Sequence, residues 1–172
     1  MARASFTTPI GSLAFPTFID EPDATFADET DANDLGDYKA RIRLKKGEPS
    51  TEEFIAKLQG IFDQHVEETK ARQNKKKLKM SDENLPWADE VDRETDEETG
   101  YVVFRTKLKA RVTKKAGGFF DQRPKVYSLE NELLSEVPRI GPGSEVRLAG
   151  EILCWYNPGK GVGMSLWCQG VQ

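Results

Sequence analysis

The sequence predicts a mainly β fold with one inserted helix, in which about five strands curl into a small, closed or partly closed barrel. Three observations carry this reading. Residues 38–45, and 101–112 from Phe104 onward, alternate between apolar and cationic side chains, the period of a half-buried strand. Residues 50–73 repeat their apolar side chains at helical spacing instead. Two long alternating stretches near the C-terminus flank Asn157-Pro158-Gly159-Lys160-Gly161, a hairpin signal. At 172 residues the chain suits a single domain, 1–172, with sizeable insertions.

In chain order, residues 1–9 read as a short polar arm. Residues 10–20 carry Leu13, Phe15, Thr17 and Ile19 at period two and form the first strand. Pro16 places that strand at an edge or a bulge, because it donates no ladder hydrogen bond. In the second strand Tyr38, Ala40, Ile42 and Leu44 share one face, and Lys39, Arg41, Arg43 and Lys45 share the other. Gly47-Glu48-Pro49 breaks the alternation, and Ser50-Thr51-Glu52-Glu53 opens the helix with a capping-box signature. Phe54, Leu58, Ile61, Phe62 and Val66 form its apolar stripe, with His65 as a packing residue on the edge.

The third strand, 101–112, sets Phe104, Thr106, Leu108, Ala110 and Val112 against Arg105, Lys107, Lys109 and Arg111, with Tyr101 on the cationic side. Residues 113–122 hold two glycines, two lysines and the adjacent Phe119 and Phe120, and read as a mobile loop with aromatic tips. A short strand at 124–127 and a short helix or turn at 129–136 follow. In the closing hairpin Val146, Leu148, Ile152, Cys154 and Tyr156 face inward on one strand, and Val162, Met164, Leu166 and Cys168 on the other. Trp155 and Trp167 are left on the faces that carry the polar side chains, where no core needs them.

The net charge of −4 hides a strong division. Residues 20–37 hold eight acids and no Lys or Arg, and residues 82–98 hold nine acids against Arg93. The rest of the chain has 12 acids and 24 bases, so a basic body carries two acidic loop insertions, at 21–37 and 81–99. Two strands showing eight cations on one side exceed what a solvated face needs and point to a polyanion. The acidic stretches point to self-screening or to a second partner.

The chain lacks an apolar run of membrane-spanning length, a signal-peptide pattern, and any spacing of Cys154, Cys168 and His65 that suits a metal. A reducing, cytoplasmic setting with both thiols in the core is expected, with no cofactor, no metal and no catalytic constellation. Gly159-Lys160-Gly161-Val162-Gly163 lacks the order of a phosphate loop. Carboxylate-rich runs bounded by Gly lack the rigid convergence that Mg²⁺-dependent nuclease chemistry requires, so that reading stands as a lesser alternative.

A small barrel with a basic face and spare aromatics fits the oligonucleotide-binding fold, which holds single strands by phosphate contacts and by stacking on bases. The phosphate candidates are Lys39, Arg41, Arg43, Lys45, Arg105, Lys107, Lys109 and Arg111. The stacking candidates are Tyr101, Phe119, Phe120, Trp155 and Trp167, with the tryptophans first. The order of basic strand, helix, charged insertion and second basic strand, then Gly-Ser-x-Val-Arg (143–147) and Lys-Gly-Val-Gly-Met-Ser-Leu-Trp-Cys-Gln-Gly-Val-Gln (160–172), resembles the single-stranded DNA-binding proteins of tailed bacteriophages. That resemblance implies an oligonucleotide-binding fold, sequence-independent binding of single-stranded DNA, and a role in replication and recombination. Expected partners are single-stranded DNA, replication or recombination proteins, and further copies of the chain. An interaction protein whose acidic loops imitate DNA, or adapt replication proteins, is the alternative from another class.

Overall fold

The computed structural model describes residues 3–172. Among them, eleven strands surround one long helix: β1 (Ala4–Thr7), β2 (Gly11–Asp23), β3 (Asp37–Lys45), α1 (Pro49–Gln73), β4 (Trp87–Val91), β5 (Glu98–Lys109), β6 (Arg111–Thr113), β7 (Phe119–Asp121), β8 (Lys125–Val126), β9 (Glu145–Val146), β10 (Leu148–Asn157) and β11 (Gly161–Val171). Nine strands make one sheet in the order β1-β10-β11-β5-β3-β2-β9, with β4 alongside β5 and β8 alongside β11. Pairing is antiparallel except where β11 meets β5 and β8. β9 and β10 are separated by Arg147 alone, and β9 pairs with β2, so the sheet curls back towards its own start.

The expected mainly β fold with one helix is the one observed, but the sheet holds nine strands rather than five. The short strands β1, β4 and β8 extend it along exposed backbone edges, and the strand expected from 145 onward is broken at Arg147. Residues 1–9, read as a loose arm, include β1, which pairs with Ala149–Ile152 of β10.

Alternation holds where the basic strands meet. Ala40, Ile42 and Leu44 of β3 and Val102, Phe104, Thr106 and Leu108 of β5 are buried on the inward face. There they meet Leu148 and Ile152 of β10 and Val162, Met164, Leu166 and Cys168 of β11. The helix closes this core with Phe54, Leu58, Phe62 and Val66. Phe54 packs 5.0 Å from Phe104 between ring centroids, and burial of each such side chain contributes about 1.5–3 kcal/mol. Burial also raises the Cys168 thiol to a pKa of about 12. Among the described residues no helix is long and apolar enough to cross a membrane.

Several local expectations need correction. The helix begins one residue early, with Glu48 as its N-cap and Pro49 in the first turn, so Ser50 caps nothing. Glu52 instead accepts the Gly47 N–H at 2.9 Å. Phe15 does not join the apolar face of β2: the register slips between Ala14 and Phe18, around a cis Phe15–Pro16 bond, and Phe15 is 75% exposed. Residues 113–122 are not a loose loop, because β6 and β7 form a two-stranded ribbon turned by Gly117 and Gly118. Residues 129–136 take the turn rather than the helix: a turn at 129–130 lets Leu133 bridge back to Tyr127. The second acidic stretch is not a loop either. It is a short 3₁₀ turn (Asp82–Asn84) and a hairpin of β4 against the start of β5, whose alternation is masked in sequence by acids on both faces.

Candidate nucleic-acid interface

The outward face of β3, β5, β11 and β10 is built from rows of side chains set by strand register. One row runs Lys39, Lys107, Trp167 and Glu151 across four strands, since each is paired to the next. Two residues along, Arg41 lies opposite Arg105, and Ser165 opposite Leu153. A further step along β10 and β11 sets Trp155 opposite Gly163. A methyl group at Gly163 would overlap the Trp155 ring carbons, so glycine here lets the indole lie flat on the sheet. Trp155 Nε1 donates to Ser165 Oγ at 3.2 Å, leaning the ring towards the arginine row. His65 Nε2 donates to the Trp155 carbonyl at 3.2 Å, tying that strand to the helix.

Two adjoining hollows follow these rows. One, of about 330 Å³, is lined by Lys39, Arg41, Arg105, Lys107, Trp155 and Ser165, and walled by residues 83–86. Arg105 donates to the Leu85 carbonyl at 2.6 Å, and Asn84 fastens the wall to the Lys160 carbonyl at 2.8 Å. The second, of about 870 Å³, is lined by Lys107, Lys109, Phe120, Trp155, Trp167 and Gln169. Both tryptophans are half-buried, reachable from solvent rather than sealed in the core. Arg3 stacks 4.8 Å from the Trp167 ring centroid and bonds Glu151 at 3.1 Å, so the acid at the end of this row is neutralised locally.

The predicted cations therefore divide. Arg41, Arg105, Lys107 and Lys109 line this groove with no carboxylate within ion-pair distance among the described residues. Burial lowers the pKa of Arg41, and the charges of Arg105 and Arg93 lower it further, as expected for like charges crowded without an anion. Lys39 is shared: it lines the groove, yet its Nζ lies 2.9 Å from Asp23. Arg43 is taken up by Glu90 through two hydrogen bonds of 2.6 and 2.7 Å, which raises the arginine's pKa and lowers the acid's. Its guanidinium also covers Tyr101 at 4.1 Å, so Tyr101 offers no free ring face on that side. Lys45 sits past Arg43, exposed, 3.8 Å from Glu48.

Arg111 leaves the cationic face altogether. The chain bends at Ala110, β6 starts a separate ribbon, and Arg111 binds both Asp121 oxygens, at 2.5 and 2.9 Å. Phe119 stacks on that guanidinium at 3.9 Å, while its neighbour Phe120 turns the other way with Val112, into the groove. Of the predicted site residues, Lys39, Arg41, Arg105, Lys107, Lys109, Phe120, Trp155 and Trp167 come together. Arg43, Lys45, Tyr101, Arg111 and Phe119 do not. Ser165 and Gln169 share the Trp167 face by alternation yet are not among the predicted site residues, and Leu153 is missed, because uncharged side chains carry no signal of their own. Sequence reasoning also missed Phe26, 88% exposed with Lys39 Nζ 5.8 Å from its ring.

Comparison with known proteins agrees with this architecture. A model of the family described as single-stranded DNA-binding protein, bacteriophage T7, matches residues 10–171. The crystal structure of gp2.5, a single-stranded DNA-binding protein encoded by bacteriophage T7, superposes with a TM-score of 0.72 at 19% identity, covering 99% of this chain and 85% of that one. The single-stranded DNA-binding protein of bacteriophage Enc34, in complex with single-stranded DNA, gives 0.56 at 17% identity, covering 97% and 84%. No curated protein sequence matches the chain. With nearly its whole length inside the family match, the chain belongs to the family of bacteriophage T7-type single-stranded DNA-binding proteins.

Proposed function

We propose that this protein coats single-stranded DNA without reading its sequence, in phage replication and recombination, and acts by binding rather than catalysis. Arg41, Arg105, Lys107 and Lys109 hold phosphates, with Lys39 contributing where Asp23 releases it. Trp155, Trp167 and Phe120 stack on bases, which tolerates any sequence because every base has a π-face. The observation that carries this reading is the row of Lys39, Lys107 and Trp167 beside the opposed Arg41 and Arg105. It sets Arg41, Arg105 and Lys107, which have no carboxylate within ion-pair distance among the described residues, against reachable indoles on one sheet. We read the long strands β2, β3, β5, β9–β10 and β11 as the five staves of an oligonucleotide-binding barrel, closed where β2 pairs with β9. The solved complex of the Enc34 relative with single-stranded DNA supports the ligand class. Glu90, Asp89 and Asp23 are each engaged by a cation of the body, which supports self-screening for that part of the acidic stretches.

Fluorescence titration with oligo(dT) tests the proposal. Binding is expected to quench tryptophan emission, with log K falling by about 0.7 per tenfold rise in salt for each phosphate neutralised. Duplex DNA and RNA of equal length, titrated in parallel, measure the preference. Absent or salt-insensitive binding of oligo(dT) would overturn it.

A further inference from the structure

We propose that the acidic hairpin of β4 and the start of β5 is an end-stop for the bound strand, its Glu90 carboxylate occupying Arg43 as a phosphate would. The proposal rests on reading the outward face as a single-strand groove, and assigns where that groove ends. Arg43 stands two residues from Arg41 on the same face of β3, and alternation alone gives the two equal claim to a phosphate. Their surroundings differ completely.

Arg43 presents Nε and Nη2 to the two oxygens of Glu90, the same planar fork by which a guanidinium grips a phosphate. Thr99 Oγ1 donates to Glu90 Oε1 at 2.8 Å and fixes the carboxylate in place, while the Tyr101 ring backs the guanidinium at 4.1 Å. The arginine is thus held on an edge and on a face. Lys46, just past β3, meets Asp89 at 3.0 Å and Glu98 at 3.7 Å, both from the same hairpin. Every cation from Arg43 towards the helix therefore faces an acid, Lys45 meeting Glu48 at 3.8 Å. Arg41, by contrast, has no carboxylate within ion-pair distance among the described residues, feels the charges of Arg105 and Arg93, and lines the open hollow.

The hairpin acts twice at this boundary. It removes Arg43 from the pool of available cations, and it places Asp89, Glu90 and Glu98 where an advancing phosphate would be repelled. The strand then runs over the rows from Arg41 to Lys109 and no further. Half-exposed ion pairs of this kind add little to folding stability, which makes a role at the surface the more natural one.

The test uses the full chain and oligo(dT) of increasing length, read by tryptophan quenching over a range of KCl. Glu90→Gln keeps the shape of the side chain and frees the Arg43 charge. It is expected to steepen the log K against log salt slope by about 0.7, which is roughly a 2.6-fold larger loss of affinity between 50 and 200 mM. The gain should appear only with oligonucleotides long enough to pass Arg41, and the double variant R43Q/E90Q should return to the wild-type slope. An unchanged slope in E90Q, or a gain that survives in R43Q/E90Q, would overturn the end-stop. If E90Q melts below the assay temperature, Thr99→Val, which removes only the second hydrogen bond to Glu90, should steepen the slope in the same direction by less, and no change there counts against the proposal. A wild-type chain that fails to quench at all would remove the groove reading itself, and the end-stop with it.

Discussion

The middle of the cationic face and its two ends are written in the same residue types and differ in what those residues touch. In the middle, Arg41 and Arg105 oppose each other across β3 and β5 beside the Trp155 indole, with no carboxylate within ion-pair distance among the described residues. At one end Arg43 is locked to Glu90, and beyond the other Arg111 is locked to Asp121. An arginine with its fork already filled by a carboxylate is a structural clamp. One held among other cations, with its pKa lowered by burial and by its neighbours, is the proposed phosphate contact. On the proposed reading, binding capacity follows unpaired cations, and counting positive residues overstates it.

The sharpest way to break this contrast is through the aromatics. Trp155→Ala should weaken oligo(dT) binding by about 1–3 kcal/mol, the range for losing one stacked base, and Trp167→Ala by the same range once a base takes the place of Arg3 on its ring. Phe119→Ala, on the clamped side of the ribbon, should leave affinity unchanged. Equal losses from Phe119→Ala and Trp167→Ala would erase the distinction between middle and end. Gly163→Ala sharpens it further, because the added methyl has to push the Trp155 indole off the sheet without removing it. Its expected signature is a weakened oligo(dT) affinity with a shifted tryptophan emission maximum in the free protein.

A smaller effect is expected from the charges. Arg41→Gln should flatten the salt dependence by about 0.7 in slope, the contribution of one phosphate contact. Arg111→Gln should leave that slope as it is, and show instead as a less stable β6–β7 ribbon, measured by faster amide exchange at Val112 and Phe120. If Arg111→Gln changed the slope as much as Arg41→Gln, ion pairing to Asp121 would not be what silences it.

How much of this was legible in the sequence depends on the range of the interaction. The faces of β3 and β5 could be read because alternation is a property of neighbouring residues, and Ile42 and Phe104 lie fully buried where the period puts them. The closing hairpin and the helical stripe could be read for the same reason. The partner of Arg43, however, stands 47 residues away, in a stretch whose acids hid the Trp87–Val91 strand. The fate of Arg111 turns on a bend at Ala110, a small apolar residue that continues the alternation in sequence while the backbone leaves the strand. Phe15 was lost to a slip in register around Pro16, which the proline announced without giving its size. Local period placed the cations on a face; only tertiary contacts decided which of them stayed free.

Lys39 lies on the boundary between the two regimes and carries the smallest and most discriminating effect. It lines the groove, yet its Nζ bonds Asp23 at 2.9 Å. The Asp23 carboxyl is held down to about 2, first by the Thr25 hydroxyl, then by Lys39 and the Thr25 backbone N–H. Because its folded value is depressed, the stabilisation this carboxylate gives is complete above its unfolded value, near ~3.9, and is lost as the pH falls through about 2. Carboxyl-carbon NMR should therefore find Asp23 titrating near 2. In Lys39→Gln the midpoint should rise only part of the way to the ordinary value, because the larger contribution from Thr25 remains. Saturation with oligo(dT) gives the decisive reading: a phosphate that draws Lys39 away should raise the Asp23 midpoint as the substitution does. An unmoved midpoint would put Lys39 with Arg43 among the clamped cations and leave the groove to Arg41, Arg105, Lys107 and Lys109.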